Sequence, residues 1–192
     1  MDIVKSFTDS WNIYLKNFIL IVLAGIVAAI FGFLIAPMVG FYMIFVKAQR
    51  GEQVSFNDVF APFKKYLALL IASLWIFILI AAATLPAVIC YYFNLNVLGV
   101  LFTVISIMLI IYLGVCWMFS LILVYDKDLP VMNALNTSRE LVLKNNFWMH
   151  LLLLLLAGIV CGLGNIIFGI GIILTFPIAL GAIACTYAEE SK

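Results

Sequence analysis

The fold of this chain is decided by residues 66–125, which read YLALLIASLWIFILIAAATLPAVICYYFNLNVLGVLFTVISIMLIIYLGVCWMFSLILVY. The stretch carries no charge and is about three times as long as the roughly 20 apolar residues with which a helix crosses a bilayer. Because unpaired backbone groups cannot face lipid, its spans are expected to be helices. Its polar interruption at 91–96, YYFNLN, contains asparagines, which favour turns. The stretch therefore predicts two membrane-spanning helices, near 64–90 and 97–125.

The composition of the whole chain indicates the same class of protein. Of its 192 residues 67% are apolar and 10% are charged, and the mean hydropathy is +1.27. Soluble domains average about half apolar and about a quarter charged residues. A chain of this size cannot bury so much apolar surface by itself. The composition excludes a soluble enzyme, a secreted disulfide scaffold, a disordered tail and a nucleic-acid binder, and it predicts an integral membrane protein surrounded by membrane lipids.

The ten basic and nine acidic residues are confined to four short segments, 1–16, 47–65, 126–144 and 189–192. Two further charge-free stretches lie between these segments. Residues 145–188 are expected to form two helices, near 145–163 and 171–188, separated by a glycine-rich segment. Residues 17–46 allow either one tilted helix kinked at Pro37 or two short helices.

The basic residues bear on the number of helices. Six helices would place all four charged segments on one side, which is expected to be cytoplasmic because basic loops stay inside. Five helices would move Lys5 and Lys16 outside, and the same tendency still accepts this. We favour an all-α bundle of six helices in three hairpins, about 1–50, 51–125 and 126–192, in one membrane domain covering 1–192, with five helices as the alternative. In the six-helix arrangement both termini are cytoplasmic. The second helix, about 37–50, would then be only about 21 Å long, and so tilted, embedded short or re-entrant.

The first and third hairpins contain similar segments. LAGIV occurs at 23–27 and again at 156–160, and each copy is followed by a proline with a glycine close behind, Pro37 with Gly40 and Pro177 with Gly181. The spacing between the matches changes, so a repeat would need insertions. Chance similarity between two apolar segments is the alternative.

Small residues and prolines supply the candidates for helix packing and hinges. Gly158 and Gly162 form a GxxxG step, and Gly25 begins a similar small-residue step with Ala29. We expect these steps to pack within the chain, with contact between copies as the alternative. Because broken helices often mark transport sites, the hinge candidates are Pro37, Gly40 and Pro177.

An amphipathic stretch precedes each hairpin, around Val4 to Phe18, Phe56 to Phe63 and Val131 to Val142. In the second stretch Ser55 and Asp58 predict a capping box. These stretches are expected either to lie in the headgroup plane or to pack beneath the bundle. Basic residues beside the second stretch are candidates for contact with anionic lipid headgroups: Lys47, Arg50, Lys64 and Lys65.

Short motifs extend along the chain: PMVG at 37–40, KAQRG at 47–51, SFNDVF at 55–60 and NALNTS at 133–138. In these motifs the chain resembles a broad group of prokaryotic multipass membrane domains of unknown function, related to the membrane domain of glycerophosphodiester phosphodiesterases. The resemblance covers nearly the whole chain and implies a multipass membrane domain. The sequence contains no phosphodiesterase domain, so that enzyme's activity and metal site are not expected here.

Residues that could carry chemistry are few. His150, the single histidine, has no acidic neighbour in sequence, so we expect it to have a structural role although an ionisable group in a span is a functional suspect. Metal sites need three or four converging ligands, and no catalytic, cofactor-binding or metal site is predicted. The cysteines form no CxxC pair and are expected to behave as small apolar residues: Cys90, Cys116, Cys161 and Cys185.

The expected function is therefore that of a non-enzymatic membrane module with a scaffold, accessory or membrane-organising role. The alternative is a small transporter, channel or lipid-handling protein. A partner is expected to be membrane lipid, another membrane protein or a second copy of the chain, and not nucleic acid.

Overall fold

The computed structural model describes residues 2–166 and 171–191, and this part of the chain is helical without any strand. It confirms the predicted all-α bundle. The α-helices are α1 (Ile3–Lys16), α2 (Phe18–Phe31), α3 (Ala36–Gln49), α4 (Tyr66–Tyr92), α5 (Asn96–Cys116), α6 (Ser120–Asp126), α7 (Val131–Lys144), α8 (Phe147–Ile166) and α9 (Ile172–Glu190). Short 3-10 helices lie at Gly32–Leu34, Phe56–Val59 and Ala61–Lys65.

Several helical segments are long and apolar enough to cross a membrane, as expected of a membrane-embedded protein. Within the described residues there are four: Phe56–Tyr92, Asn96–Asp126, Phe147–Gly164 and Ile172–Glu190. The helices Ile3–Lys16 and Phe18–Leu34 are long and apolar enough for a span only when taken together. The chain bends by 106° between them. The predicted count of six is not confirmed, because α3 has 14 residues and reaches only about 21 Å of the roughly 30 Å hydrocarbon core.

The predicted turn at 91–96 lies between α4 and α5. α4 ends at Tyr92, α5 begins at Asn96, and Asn94 has φ +57°, a left-handed conformation that asparagine tolerates. The predicted helix near 97–125 corresponds to the segment Asn96–Asp126, within which the α-helix is interrupted between Cys116 and Ser120. Ser138 of α7 joins the two sides of this break: its hydroxyl donates to the Cys116 carbonyl at 2.7 Å and accepts from the Phe119 N–H at 3.2 Å.

The second half of α9 is the most deeply buried part of the described chain, and α1, α3 and α8 pack around it. The ring of Phe41 in α3 stacks on Phe176 with centroids 5.9 Å apart. Ser10 of α1 donates a hydrogen bond to the Ile178 carbonyl at 2.9 Å. Contacts between residues this far apart in sequence fix the N-terminal helices against the C-terminal one.

The amphipathic helices α1 and α7 differ in which of their residues are buried. In α7 the apolar stripe that includes Ala134 and Val142 faces the bundle and is buried. In α1 the buried side is formed by Ile3, Ser6, Ser10 and Tyr14, while Val4 and Trp11 are exposed. The capping box of Ser55 and Asp58 is present at the start of Phe56–Val59.

Polar contacts bring the four charged segments together at one end of the bundle, which we call the charged end. Lys5 pairs with Glu189, which joins the first segment to the fourth. Further contacts join the second segment to the first and third, and the third segment to the fourth: Gln49 to Asp9, Arg50 to Asp126, Lys65 to Asp128, and Lys127 to the Ser191 carbonyl.

Candidate functional site at the charged end

The most deeply buried ionisable pair of the described chain joins α8 to α9. The His150 side chain is 0% exposed and that of Glu190 is 6% exposed. Nε2 of His150 lies 2.9 Å from Glu190 Oε2, and Nδ1 lies 3.1 Å from the carbonyl oxygen of Asn146. The two side chains meet because the α8–α9 hairpin returns to the charged end 40 residues after His150.

A second polar group lies close to this pair. Arg50, at the end of α3, donates two hydrogen bonds to Asp126, at 2.8 and 2.7 Å. The buried Tyr187 donates its hydroxyl to Asp126 Oδ2 at 2.7 Å. The hydrogen bond to Asp126 raises the pKa of the Arg50 guanidinium above its ordinary value. A bidentate pair of this kind fixes the relative positions of its elements as well as neutralising them, here the ends of α3, α6 and α9.

Phe119 separates the two polar groups. Its ring is fully buried and lies 5.7 Å from the His150 ring and 5.6 Å from the Tyr187 ring, measured between centroids. Its backbone N–H is held by Ser138, so the interruption between α5 and α6 positions this ring. An apolar wall on the histidine lowers the local polarity, which strengthens the His150–Glu190 interaction.

A cavity of about 500 Å³ opens beside the pair. Because it lies among α1, α9 and the end of α7, it belongs to the charged end. Its polar lining consists of Asp2, Lys5, Lys144, Asn145, Thr186, Glu189 and Glu190.

Two other cavities lie elsewhere. One of about 510 Å³ is lined by Asn12, Lys16, Asn17 and the loop at 51–54. The other, of about 350 Å³, is almost entirely apolar and lies among α2, the first turn of α3 and the start of α9.

Three of the four residues predicted to contact lipid headgroups form ion pairs within the chain. Lys47 pairs with Asp58 at 2.6 Å, and Arg50 and Lys65 pair with Asp126 and Asp128, each at 2.7 Å. The hydrogen bond to Asp58 raises the pKa of Lys47 above its ordinary value. Lys64 is exposed and has no ion pair in the part of the chain that the structure describes.

The predicted packing residues fall into two groups. A Cβ at Gly25 would lie 3.2 Å from Pro177, and one at Gly40 would overlap the backbone of Val59, so both glycines allow close packing. Pro37 and Pro177 are buried, the first in the opening turn of α3 and the second inside α9. The remaining two positions are Gly158 and Gly162, the GxxxG step. No described residue lies within 4 Å of a Cβ built at either glycine, so the expected packing of this step within the chain is not found.

The sequence offered no direct sign of the partners of His150 and Arg50. Glu190 and Asp126 are 40 and 76 positions away from them, so neighbouring residues could not reveal either pair. The available signal was that both acids stand at the ends of apolar helices beside the charged segments.

Comparison with protein-family models, with curated proteins and with solved structures finds no match to this chain. Residues 2–166 and 171–191 contain no group of three or more histidine, cysteine or acidic side chains placed to hold a metal ion. The site and fold therefore define a class, a membrane-embedded all-α bundle with a buried polar group at one end.

Proposed function

We propose that the protein is a non-enzymatic membrane module with an accessory or membrane-organising role. The observation that carries this proposal is the apolar surface of the α4–α5 hairpin. In the most apolar 18-residue stretch of Phe56–Tyr92, the segment that contains α4, only 11% of the residues are buried. The corresponding fraction for α9 is 56%. Large side chains such as Leu74, Phe77 and Ile78 are exposed along α4. This surface is available to lipid and to another membrane protein.

The hairpin is joined to the rest of the bundle mainly at its charged-end base. Leu69 and Ala72, near the start of α4, belong to the main core, whereas the buried Ala87 and Cys90 near its end do not. Ser106 of α5 donates a hydrogen bond to the Ala83 carbonyl at 2.7 Å, which holds the two helices together. An apolar hairpin whose far end does not belong to the main core supports an anchoring or docking role.

The polar groups at the charged end support a structural use. Arg50, Asp126 and Tyr187 satisfy one another, and Lys47, Lys65 and Lys5 each have an acidic partner. These groups hold helix ends together. We also propose that the chain is related to the prokaryotic multipass membrane domains of unknown function that it resembles.

We further propose four full spans and a re-entrant α1–α3 segment, with the charged end and both termini in the cytoplasm. The pair between Lys5 and Glu189 puts the two ends of the chain at the same end of the bundle, which supports an even number of crossings. The 106° bend between α1 and α2 and the short α3 support entry and return from one side. All ten basic residues of the sequence lie in the charged segments, which meet at this end. This distribution supports its cytoplasmic placement.

Cysteine labelling tests this topology. In a chain whose four native cysteines are replaced by alanine, we introduce Asn94→Cys, Gln53→Cys or Thr8→Cys singly and treat intact cells with a membrane-impermeant maleimide. Asn94→Cys is expected to react from outside, and the other two only after permeabilisation. Labelling of Thr8→Cys in intact cells would contradict the proposal.

Site-specific photo-crosslinking tests the accessory role. A photoreactive residue at Phe77 in native membranes is expected to form an adduct with one recurrent membrane protein. The matched control is Leu152, which is exposed on α8, and it is expected to crosslink to lipid. Lipid adducts alone at both positions would count against an accessory role.

The alternative, a lipid-handling protein, is favoured by the apolar cavity of about 350 Å³ beside Gly25, Ala28 and Phe176. Its apolar lining is suited to an acyl chain. Lipid exchange between leaflets of proteoliposomes that is abolished by Ala28→Phe, and unaffected by Ala82→Phe on the exposed surface of α4, would replace the accessory role with this function. Selective flux of an ion or solute, lost on altering Gly40 or Pro177, would replace it with transport.

A further inference from the structure

Both ring nitrogens of the buried His150 face hydrogen-bond acceptors. Nδ1 lies 3.1 Å from the Asn146 carbonyl oxygen and Nε2 lies 2.9 Å from Glu190 Oε2. A peptide carbonyl has no proton to donate, so Nδ1 must carry the hydrogen in the first contact. A neutral imidazole has only one N–H, and this contact uses it.

The second contact then determines the proton content of the pair. If the ring were neutral and the carboxylate ionised, lone pairs on Nε2 and Oε2 would face each other across 2.9 Å. One additional proton, on Nε2 or on Oε2, converts this repulsion into a hydrogen bond. Glu190 Oε1 has no hydrogen-bond partner in the described part of the chain. Because an unpaired buried carboxylate is strongly unfavourable, the extra proton is the compensation this pair requires.

We propose that His150 and Glu190 form a binding site for one exchangeable proton, reached from the charged end through the adjoining cavity, and that the bound proton holds α8 against α9. This site does not depend on the proposed accessory role.

The route for the proton is the cavity of about 500 Å³ that Glu190 lines together with Thr186 and Asn145. This volume is large enough for several water molecules, each of which occupies about 30 Å³ in the liquid. On release the proton passes to water as hydronium. A neutral imidazole and an ionised carboxylate remain, so the pair gains one negative charge.

Charged and titratable groups from each neighbouring element surround the site. Lys5 and Glu189 neutralise each other, and the Arg50–Asp126 pair with Tyr187 lies on the far side of the Phe119 ring. Asp2 precedes α1 and favours the bound proton, whereas Lys144 at the end of α7 disfavours it. Lys144 has no ion pair among the described residues, so its charge provides a means of testing the cavity route.

Nitrogen NMR on histidine-labelled protein tests the proposal directly, because His150 is the single histidine and its ring gives the only labelled signals. With the proton bound, we expect both ring nitrogens to be protonated opposite an ionised Glu190. A singly protonated ring opposite a carbon-13 signal of protonated Glu190 also supports the site. A singly protonated ring opposite an ionised Glu190 at neutral pH would overturn it.

Two pairs of variants separate the site from its surroundings. Glu190→Gln is expected to give a neutral ring at the pH where the native ring is doubly protonated, while the control Glu52→Gln, which removes the same charge beside the separate cavity, leaves the ring unchanged. Lys144→Gln is expected to shift the titration to higher pH, because a repelling positive charge is removed. Lys16→Gln, in the separate cavity, leaves the titration in place. Identical titration of the native protein and Lys144→Gln would overturn the cavity route, and this readout remains if Glu190→Gln does not fold.

Discussion

Gly40 of α3 lies directly against the backbone of Val59, so close that a Cβ on Gly40 would overlap the Val59 carbonyl group. This contact presses the short helix Phe56–Val59 onto α3 and buries the Val59 side chain completely.

Gly40→Ala is expected to lower the free energy of unfolding by about 1–3 kcal/mol, the usual effect of overpacking a tight contact. The control is Gly158→Ala, which meets open space in another helix and is expected to be neutral or stabilising because alanine favours helix. Denaturant unfolding in detergent measures both. Equal effects of the two substitutions would show that the contact with Val59 is unimportant.

Asp126→Asn is expected to cost about 2 kcal/mol or more. The Asp126 side chain is 10% exposed, and Arg50 would be left without its counter-charge in a partly buried position. The comparison is Asp128→Asn, in a pair whose acid is 81% exposed and which should contribute about 0–1 kcal/mol. If both substitutions shift the thermal midpoint by the same amount, the Arg50–Asp126 pair does not hold the charged end together.

Ser138→Ala removes two buried hydrogen bonds at the interruption between α5 and α6, those with Cys116 and Phe119. We expect a loss of about 1–3 kcal/mol, because buried backbone groups are left unsatisfied. Ser73→Ala, which removes only a local bond to the Leu70 carbonyl on α4, should have a much smaller effect. Chemical denaturation followed by tryptophan fluorescence would measure the difference, and a neutral Ser138→Ala would refute the role given to this side chain.

The pair of Lys47 with Asp58 predicts a pH dependence at alkaline pH. Its hydrogen bond raises the pKa of Lys47 in the folded state. Its stabilisation is therefore fully present below the pKa of an unfolded lysine, about 10.4, and is lost as the pH rises through the folded value. We expect the difference in stability between the native protein and Lys47→Met to stay constant between about pH 7 and about pH 10 and to shrink above that range. Lys16→Met, at an exposed position, should show no such change.

Much of the fold could be predicted because it depends on local properties of the chain. The uncharged stretch 66–125 required helices, and the asparagines near Asn94 placed the turn between α4 and α5. The break at Cys116–Ser120 escaped prediction, since no proline or glycine pair marks it and Ser138, from a different helix, satisfies its backbone. The sequence left open whether α1 lies in the headgroup plane or packs beneath the bundle, and the bend of 106° at Asn17 accompanies the packing of α1 against α9.

The candidate site shows the same division. The sequence by itself determined that the chain enters a membrane as helices and that its charges are confined to segments beside them, because hydropathy and backbone hydrogen bonding act within each segment. Only the tertiary structure decided that Glu190 faces His150 and that Asp126 binds both Arg50 and Tyr187. These pairs form between residues up to 76 positions apart, and their geometry depends on how the helices pack, which no local pattern of residues records.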